Sequence, residues 1–328
     1  MLHTGLNPYG LTYLLGLQGK ATPRANPGGS GLDGFLALAR ELHAQTLEIY
    51  DPWLAALSDR ELAALADRLR SFGMTPVISA GLNMMGPIES ALRSARSLGA
   101  TIIRLGLSPV LEGSRNAWGA KWPEFIAIAR ENLAKFAPRA HDQGVSFAVE
   151  NHQDFTSQEL VDFCNDAGPA VGICFDTGNT FPVCEAPLDF ASRVAPFVRH
   201  VHLKDYRVQF TPEGYRLIRC AIGDGAVPFP GIVEILARHH QSLGAVLEPG
   251  ALEARHIRFL KPEWWHGYPP ASAAALAAAL AAAQLNRLPD DADYRTPWER
   301  GADGELVDYE LQMIRRSAAN MQKLGLMK

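Results

Sequence analysis

The sequence lacks an apolar run long enough to cross a bilayer. Its longest low-polarity stretch, Ala271–Ala283, is nearly all alanine and falls short of the roughly 20 residues a span requires. Alanine is a strong helix former, so this stretch reads as a soluble helix. Met1–Gly10 has no basic segment followed by an apolar one, and no secretory signal is expected from it. Cysteine is scarce. Cys164, Cys174, Cys184 and Cys220 show no C-x-x-C spacing, which argues against a disulfide scaffold and for reduced thiols in a cytoplasmic enzyme. Excess charge of one sign is also missing: 31 Lys and Arg face 35 Asp and Glu, a net of -4. Such a chain offers no broad positive field, so a nucleic-acid partner is not expected. Gly223-Asp224-Gly225 is a turn signal and no phosphate loop. What remains is an ordinary globular composition, 47% hydrophobic and 20% charged over 328 residues, enough for one large α/β domain or two small ones.

Short β-like runs alternate with amphipathic stretches, the signature of repeated βα units around a parallel sheet. The expected strands are Leu11–Leu17, Thr46–Tyr50, Thr75–Ala80, Thr101–Gly106, Ser146–Asn151, Val171–Asp176, Val198–Lys204 and Ala245–Glu248. Eight strands suffice to close a barrel, so the expected fold is a (β/α)8 TIM barrel over residues 1–250. Expected helices include Asp59–Phe72, Ile88–Leu98, Trp122–Gln143, Ser157–Ala167 and Phe229–Gln241. Glycine follows at Phe72-Gly73, Leu98-Gly99, Gln143-Gly144 and Leu243-Gly244, where a left-handed residue can end a helix. Residues 251–328 read as a helical extension packed on the barrel, with an amphipathic segment at Asp308–Leu324.

Strands covered on both faces should be apolar throughout. Four consecutive expected strands nevertheless finish in a charged or ligating residue: Glu150, Asp176, His202 and Glu248. All four lie at carboxyl ends, where TIM-barrel active sites are built. Ala148, Cys174 and Val246 lie two residues below three of them on the same strand face, small enough for a crowded barrel interior. A lone strand-end carboxylate is usually a cap or an ion-pair partner; four on successive strands point to a metal site. Three oxygens and one nitrogen suit Mn²⁺ first, Mg²⁺ or Co²⁺ as well, and Zn²⁺ less.

The segments Val149-Glu150-Asn151-His152, Phe175-Asp176-Thr177-Gly178-Asn179, His200-Val201-His202-Leu203-Lys204-Asp205 and Leu247-Glu248-Pro249-Gly250 resemble the sugar phosphate isomerase/epimerase family, the xylose isomerase-like TIM barrels. The resemblance spans Leu11 to Gly250. It implies a Glu/Asp/His/Glu metal site, and by analogy with the family's ketose 3-epimerases it makes Glu150 and Glu248 the pair that moves the proton. Asn179 stands where many members carry histidine. The extra histidines of the three-zinc DNA-repair branch are missing, which speaks against abasic-site cleavage.

Other residues carry two readings each. His152 shares the inward parity of Glu150 and is expected to contact substrate or act as acid/base, rather than being a solvent-exposed turn residue. His200 lies deeper and reads as a core histidine. Lys204 either neutralises a substrate oxyanion or pairs with Asp205 or Glu150. Arg104 either clamps an anionic group or pairs with Glu48, itself a pocket-wall candidate. Trp118, in the long loop after the fourth strand, is a candidate substrate contact. Glu253 and Arg255 either line the pocket or tie down the tail, and Trp264 and Trp265 are expected to wedge the tail on the barrel. The expected activity is a metal-dependent isomerase or epimerase of a small keto sugar, working through a metal-stabilised enediolate. Its rival is a lyase of the same family: a decarboxylase or dehydratase of a 3-oxo sugar acid or cyclitol, or an enzyme cleaving C-glycosides. A non-catalytic sugar-binding barrel is the remote alternative. The expected partner is a small carbohydrate, with no membrane partner; the sequence leaves the oligomeric state open, a homo-oligomer included.

Overall fold

A computed structural model describes residues 2–80, 88–285 and 287–327. The first half runs β1 (Leu2–Leu6), α1 (Gly31–Glu41), β2 (Thr46–Tyr50), α2 (Asp51–Ala55), α3 (Asp59–Ser71), β3 (Thr75–Ala80), α4 (Ile88–Leu98), β4 (Ile102–Leu105), α5 (Lys121–Asp142) and β5 (Ser146–Glu150). It continues through α6 (Ser157–Ala167), β6 (Val171–Asp176), α7 (Pro187–Val194) and β7 (Val198–Leu203) to a hairpin of β8 (Tyr206–Thr211) and β9 (Gly214–Arg219). Then come α8 (Phe229–Ala237), β10 (Leu243–Leu247), β11 (Arg255–Ile257), α9 (Ala273–Gln284) and α10 (Leu306–Lys323). Eight strands close a parallel barrel in the order β1-β10-β7-β6-β5-β4-β3-β2, while β11, β9 and β8 form a separate antiparallel sheet. Among the described residues no helix is long and apolar enough to cross a membrane.

The local reasons are legible. All six residues of β6 are buried, as a strand covered on both faces must be. On α4, Ile88, Ala91, Leu92, Ala95 and Leu98 recur at helical spacing and face inward. Capping boxes at Ser58/Glu61 and Thr156/Glu159 start α3 and α6. Gly73, Gly99 and Gly144 adopt φ of +67°, +70° and +68° just past their helices. Gly244 does not end a helix; it lies inside β10, opposite His3 and His200.

Three expectations need correction. The first strand is Leu2–Leu6, not Leu11–Leu17. The leucines at 11, 14 and 15 fold as successive turns, with the Leu15 amide bonded to the Leu11 carbonyl at 3.0 Å, and Leu11 and Leu15 are buried. The true strand hides behind Thr4 and Gly5, and Gly5 is demanded by close approach: a Cβ there would stand 1.5 Å from the Thr46 carbonyl oxygen. The hairpin β8–β9 was not anticipated, although Thr211-Pro212-Glu213-Gly214 is a turn between alternating runs. The chain beyond Gly250 is also not purely helical, because β11 pairs with β9.

The tail is fastened at both ends of its course. Trp264 Nε1 donates to the Glu112 carbonyl at 3.0 Å, and the Tyr268 hydroxyl donates to the Gly113 carbonyl at 2.9 Å, so this aromatic stretch grips the loop after β4. Glu253 accepts from Gln18 at 3.3 Å. On α10, Leu306, Ile314 and Met321 are fully buried, and the Glu310 carboxylate accepts the backbone amides of Tyr13 and Leu14 at 3.1 and 2.8 Å. Glu310→Ala strands those donors, and stability should fall by about 1–3 kcal/mol per orphaned buried amide. A denaturant midpoint equal to that of the unaltered chain would show that the first loop is held by other contacts.

Candidate metal centre

Glu150 ends β5, Asp176 ends β6, His202 is the next-to-last residue of β7, and Glu248 follows β10 directly. Strand register levels them: His202 lies opposite Asp176 on one side and opposite Val246 on the other, two residues before Glu248. Ala148, Cys174 and Val246 are fully buried beneath. One ligand atom from each of Glu150, Asp176, His202 and Glu248 falls within 4.8 Å of all the others, and all four residues are buried.

Glu48, in the middle of β2, organises this group from below. Its Oε2 meets His202 Nε2 at 2.6 Å and His200 Nε2 at 3.0 Å, while its Oε1 takes Arg104 Nε at 3.3 Å. Burial opposes its charge, but His202 and Arg104 hold its carboxyl well below the usual range. With Nε2 donating to Glu48, His202 presents the bare lone pair of Nδ1 to Glu150 Oε1 at 3.3 Å and Glu248 Oε2 at 2.9 Å. A lone pair facing two carboxylate oxygens is repulsive unless a cation lies among them or the ring is protonated. His202 Nδ1 and Glu150 Oε2 are buried without a hydrogen-bond partner among the described residues.

Charge counting agrees. Glu48, Glu150, Asp176 and Glu248 bring four carboxylates, and Arg104 and Lys204 bring two permanent cations, all buried. With His202 neutral two negative charges are left over, which a divalent cation neutralises; without a cation, and against the cost of burial, the surrounding carboxylates hold the His202 pKa well above its usual value and the imidazolium takes up part of that excess. The donor set and its imbalance therefore fit a hard divalent metal.

Lys204 sits differently from either expected pairing. Its Nζ lies 2.5 Å from Asp176 Oδ2 and 2.5 Å from Glu248 Oε1. Asp205 is occupied elsewhere, accepting the backbone amides of Tyr206, Gly223, Gly225 and Val227 and so shaping the loop after β9. Burial pushes the Asp176 carboxyl up. Its oxygens nevertheless receive the Gly178 and Asn179 amides, the Asn179 side chain and Lys204, and four donors favour the anion. Burial likewise works against the Glu248 charge, yet Lys204 and a protonated His202 hold it down at about 2.

Arg104 shows the ion pair with Glu48 and also reaches Glu150 Oε2 at 3.4 Å, with its guanidinium 4.9 Å from the Tyr9 ring centre. His152 is partly exposed, but its Nδ1 is buried and has no hydrogen-bond partner among the described residues, and burial lowers its pKa to about 4, leaving a neutral ring beside Glu150. Trp118 packs on Trp122 and Phe125, at centroid distances of 6.2 and 5.0 Å, so its position is set by that cluster at the start of α5.

Two asparagines escaped the sequence reading. Asn7 Nδ2 donates to Glu248 Oε2 at 2.5 Å, and Asn151 ties its side chain to the Asp176 backbone with bonds of 2.8 and 2.7 Å. Asn151 was readable as the residue after a strand-end ligand. Asn7 was not, because the first strand had been placed beyond it.

Comparison with known proteins places the barrel. Residues 36–263 match the family described as xylose isomerase-like TIM barrel. The uncharacterized protein YihM of Escherichia coli is 26% identical over 181 residues, 55% of this chain and only 53% of YihM, about half its length. The 3-oxo-isoapionate decarboxylase of Pectobacterium atrosepticum is 22% identical, covering 73% of this chain and 86% of that protein. The structure of D-psicose 3-epimerase with D-tagatose from Clostridium cellulolyticum H10 superposes with a TM-score of 0.61 at 16% identity, over 99% of this chain and 100% of that one. Two further barrels, both at TM-score 0.52, are described with metals. One is a Mycobacterium smegmatis protein with magnesium, 21% identical over 77% of this chain and 87% of its own; the other is the IOLI protein with zinc, 16% identical over 87% and 96%. At such identities the structural likeness is one of fold. With two thirds of its length matched and its eight-stranded barrel closed, the chain belongs to the xylose isomerase-like TIM barrel family.

Proposed function

We propose that this protein is a divalent-cation-dependent isomerase or epimerase of a small keto sugar or sugar derivative. The observation that carries the reading is the pair Glu150 and Glu248. They reach one imidazole nitrogen, His202 Nδ1, from strands that β6 and β7 separate. Glu150, Asp176, His202 and Glu248 would hold the cation, with Mn²⁺ the favoured choice and Mg²⁺, Co²⁺ or Zn²⁺ as alternatives. Bound there, it would polarise a carbonyl and a neighbouring hydroxyl and so acidify the C–H between them.

The chain supplies the rest. Glu150 or Glu248, both ionised at neutral pH, accepts the proton from carbon, and the other returns it on the opposite face. Neutral His152 beside Glu150 can pass a proton to or from a substrate hydroxyl. Lys204, held between Asp176 and Glu248, would keep its ammonium beside the cation, where it can answer an oxyanion developing on substrate. Glu48 fixes the His202 tautomer, and Arg104 keeps Glu48 and Glu150 charged. Glu48 would support the ligand histidine, and Trp118, packed on Trp122 and Phe125, would present one wall of the substrate pocket from that cluster.

A second reading, a lyase acting on a 3-oxo sugar acid or cyclitol, is favoured by Lys204 and Arg104. These two buried cations would suit a substrate carboxylate, and a decarboxylase is among the relatives. Product analysis after incubation with keto sugars and 3-oxo sugar acids decides between bond migration and bond cleavage. A sugar-binding barrel without catalysis would turn over neither.

Two measurements test the site. Glu150→Gln and Asp176→Asn keep the volume and remove an anionic ligand, so cation content by elemental analysis should fall steeply in both. Full content in both would remove the proposed site. In deuterium oxide, turnover should place solvent deuterium on carbon, and Glu248→Gln should abolish the labelling. Each tenfold loss of rate corresponds to about 1.4 kcal/mol of barrier. Product free of carbon-bound deuterium would mean that hydrogen moves directly between carbons and that Glu150 and Glu248 are ligands alone.

A further inference from the structure

In the closed barrel β7, β6 and β5 separate β10 from β4 on one side, and β1, β2 and β3 separate them on the other, so β10 and β4 face each other across the axis. The chain leaving β10 at Glu248 makes that crossing. The His256 amide, in β11, donates to Glu112 Oε1 at 3.0 Å, and Glu112 belongs to the loop after β4. Arg255, one residue earlier, therefore lies over the barrel mouth.

Its side chain is on the inner face of the small sheet. β11 meets β9 at Arg255↔Leu217 and Ile257↔Tyr215, and β9 meets β8 at Leu217↔Val208 and Arg219↔Tyr206. Residues opposite each other in an antiparallel pair share a face, so Arg255 stands with Tyr206, Val208, Leu217 and Ile257, all four buried. The other face turns outward, where Ile218 and Ala254 cluster with Leu288 of the tail. Tyr206 joins the inner face to the metal centre. Its ring stands 3.0 Å from where a Cβ at Gly178 would lie, and its hydroxyl donates to Asn179 Oδ1 at 3.5 Å, the residue whose side chain also holds Asp176. Burial pushes the Tyr206 hydroxyl up to about 12, while the Lys204 ammonium and the Arg255 guanidinium pull the other way.

An arginine that serves the fold spends its donors on the protein, and Arg255 spends none. It makes no hydrogen bond or ion pair among the described residues; its Nε is buried without a partner, and the two terminal nitrogens of this half-buried side chain keep accessible surface. The carboxylates along the neighbouring chain are engaged elsewhere. Glu112 takes the His256 amide and Arg258, Glu253 takes Gln18, and Glu299 takes the Ala254 amide on the outer face. With a divalent cation bound, Glu48, Glu150, Asp176 and Glu248 are balanced by Arg104, Lys204 and the metal, so Arg255 leaves the mouth with one positive charge to spare.

We propose that Arg255 binds a carboxylate of the substrate, and hence that the sugar derivative taken at the barrel mouth is a sugar acid. The inference rests on the reading of that mouth as the substrate site and narrows its substrate class. One spare positive charge matches a monoanion, and the end-on fork of two terminal nitrogens matches the two oxygens of a carboxylate.

The test uses the full chain loaded with Mn²⁺, its cation content measured by elemental analysis, and isothermal titration with three probes. They are D-fructose, D-fructuronate (the same ketose with a carboxylate in place of its terminal hydroxymethyl group) and D-fructose 6-phosphate. Fructuronate should bind about tenfold or more tighter than fructose, the size expected for one charge-assisted contact. Arg255→Gln should bring that ratio close to one with cation content unchanged, and Arg255→Lys, which keeps the charge and loses the fork, should fall between. Fructuronate that binds no tighter than fructose, or not at all, to the cation-loaded chain overturns this inference alone. So does a preference for fructuronate that survives Arg255→Gln. Tighter binding of the phosphate than of fructuronate, lost in Arg255→Gln, overturns the assignment to a carboxylate. A chain that takes up no cation fails the metal site, and this inference with it.

Discussion

Four carboxylates share one buried volume on the barrel axis, and electrostatics lets them do so only in company. Like charges about 4 Å apart repel by roughly 4 kcal/mol at the effective dielectric of about 20 that describes protein sites. Glu48, Glu150, Asp176 and Glu248 are each at most 5% exposed, so water screens none of them well. Arg104 answers Glu48 and Glu150 from the β4 side, and Lys204 answers Asp176 and Glu248 from the β7 side. The residual negative charge of the group is what fits the barrel mouth to a cation.

Glu48 is the hinge of that arrangement. Its Oε2 meets Nε2 of both His202 and His200 and its Oε1 takes Arg104 Nε, so one carboxylate fixes how the His202 ring is turned toward Glu150 and Glu248. Around the rim, asparagines do comparable work for the carboxylates. Asn151 and Asn179 fix Asp176, and Asn7 fixes Glu248, so that each anion meets the centre with its orientation already determined. Preorganisation of this kind lets charge develop on a substrate without reorganising the protein around it.

Much of this was legible in the residues. Charged ends on otherwise apolar strands marked Glu150, Asp176, His202 and Glu248, and the structure brings these four together at one end of the barrel. Seven of eight strands were placed by the same apolar continuity. The eighth was misplaced because Leu2–Leu6 mixes Thr, Gly and His, whereas Leu11–Leu17 is rich in leucine yet folds as turns. The partners of Lys204 could not be read, since they depend on lateral distances between strands rather than on spacing along one. Arg219 stayed hidden for a related reason: it is buried against Gly10, Tyr309 and Glu310, and the hairpin that carries it was not anticipated.

The closing seam of the barrel has a consequence for how the chain reaches this state. β1 pairs with β10 from Leu2↔Leu243 to Leu6↔Leu247, so the first strand waits for a partner some 240 residues downstream. Until β10 arrives, β1 and β7 are open edges, with unpaired backbone groups and apolar faces that invite association between chains. Contacts of such long sequence separation slow folding. Gly5 and the leucines around it therefore face their greatest hazard before the native state exists, and the polar Thr4 and His3 within β1 keep that waiting edge from being uniformly apolar.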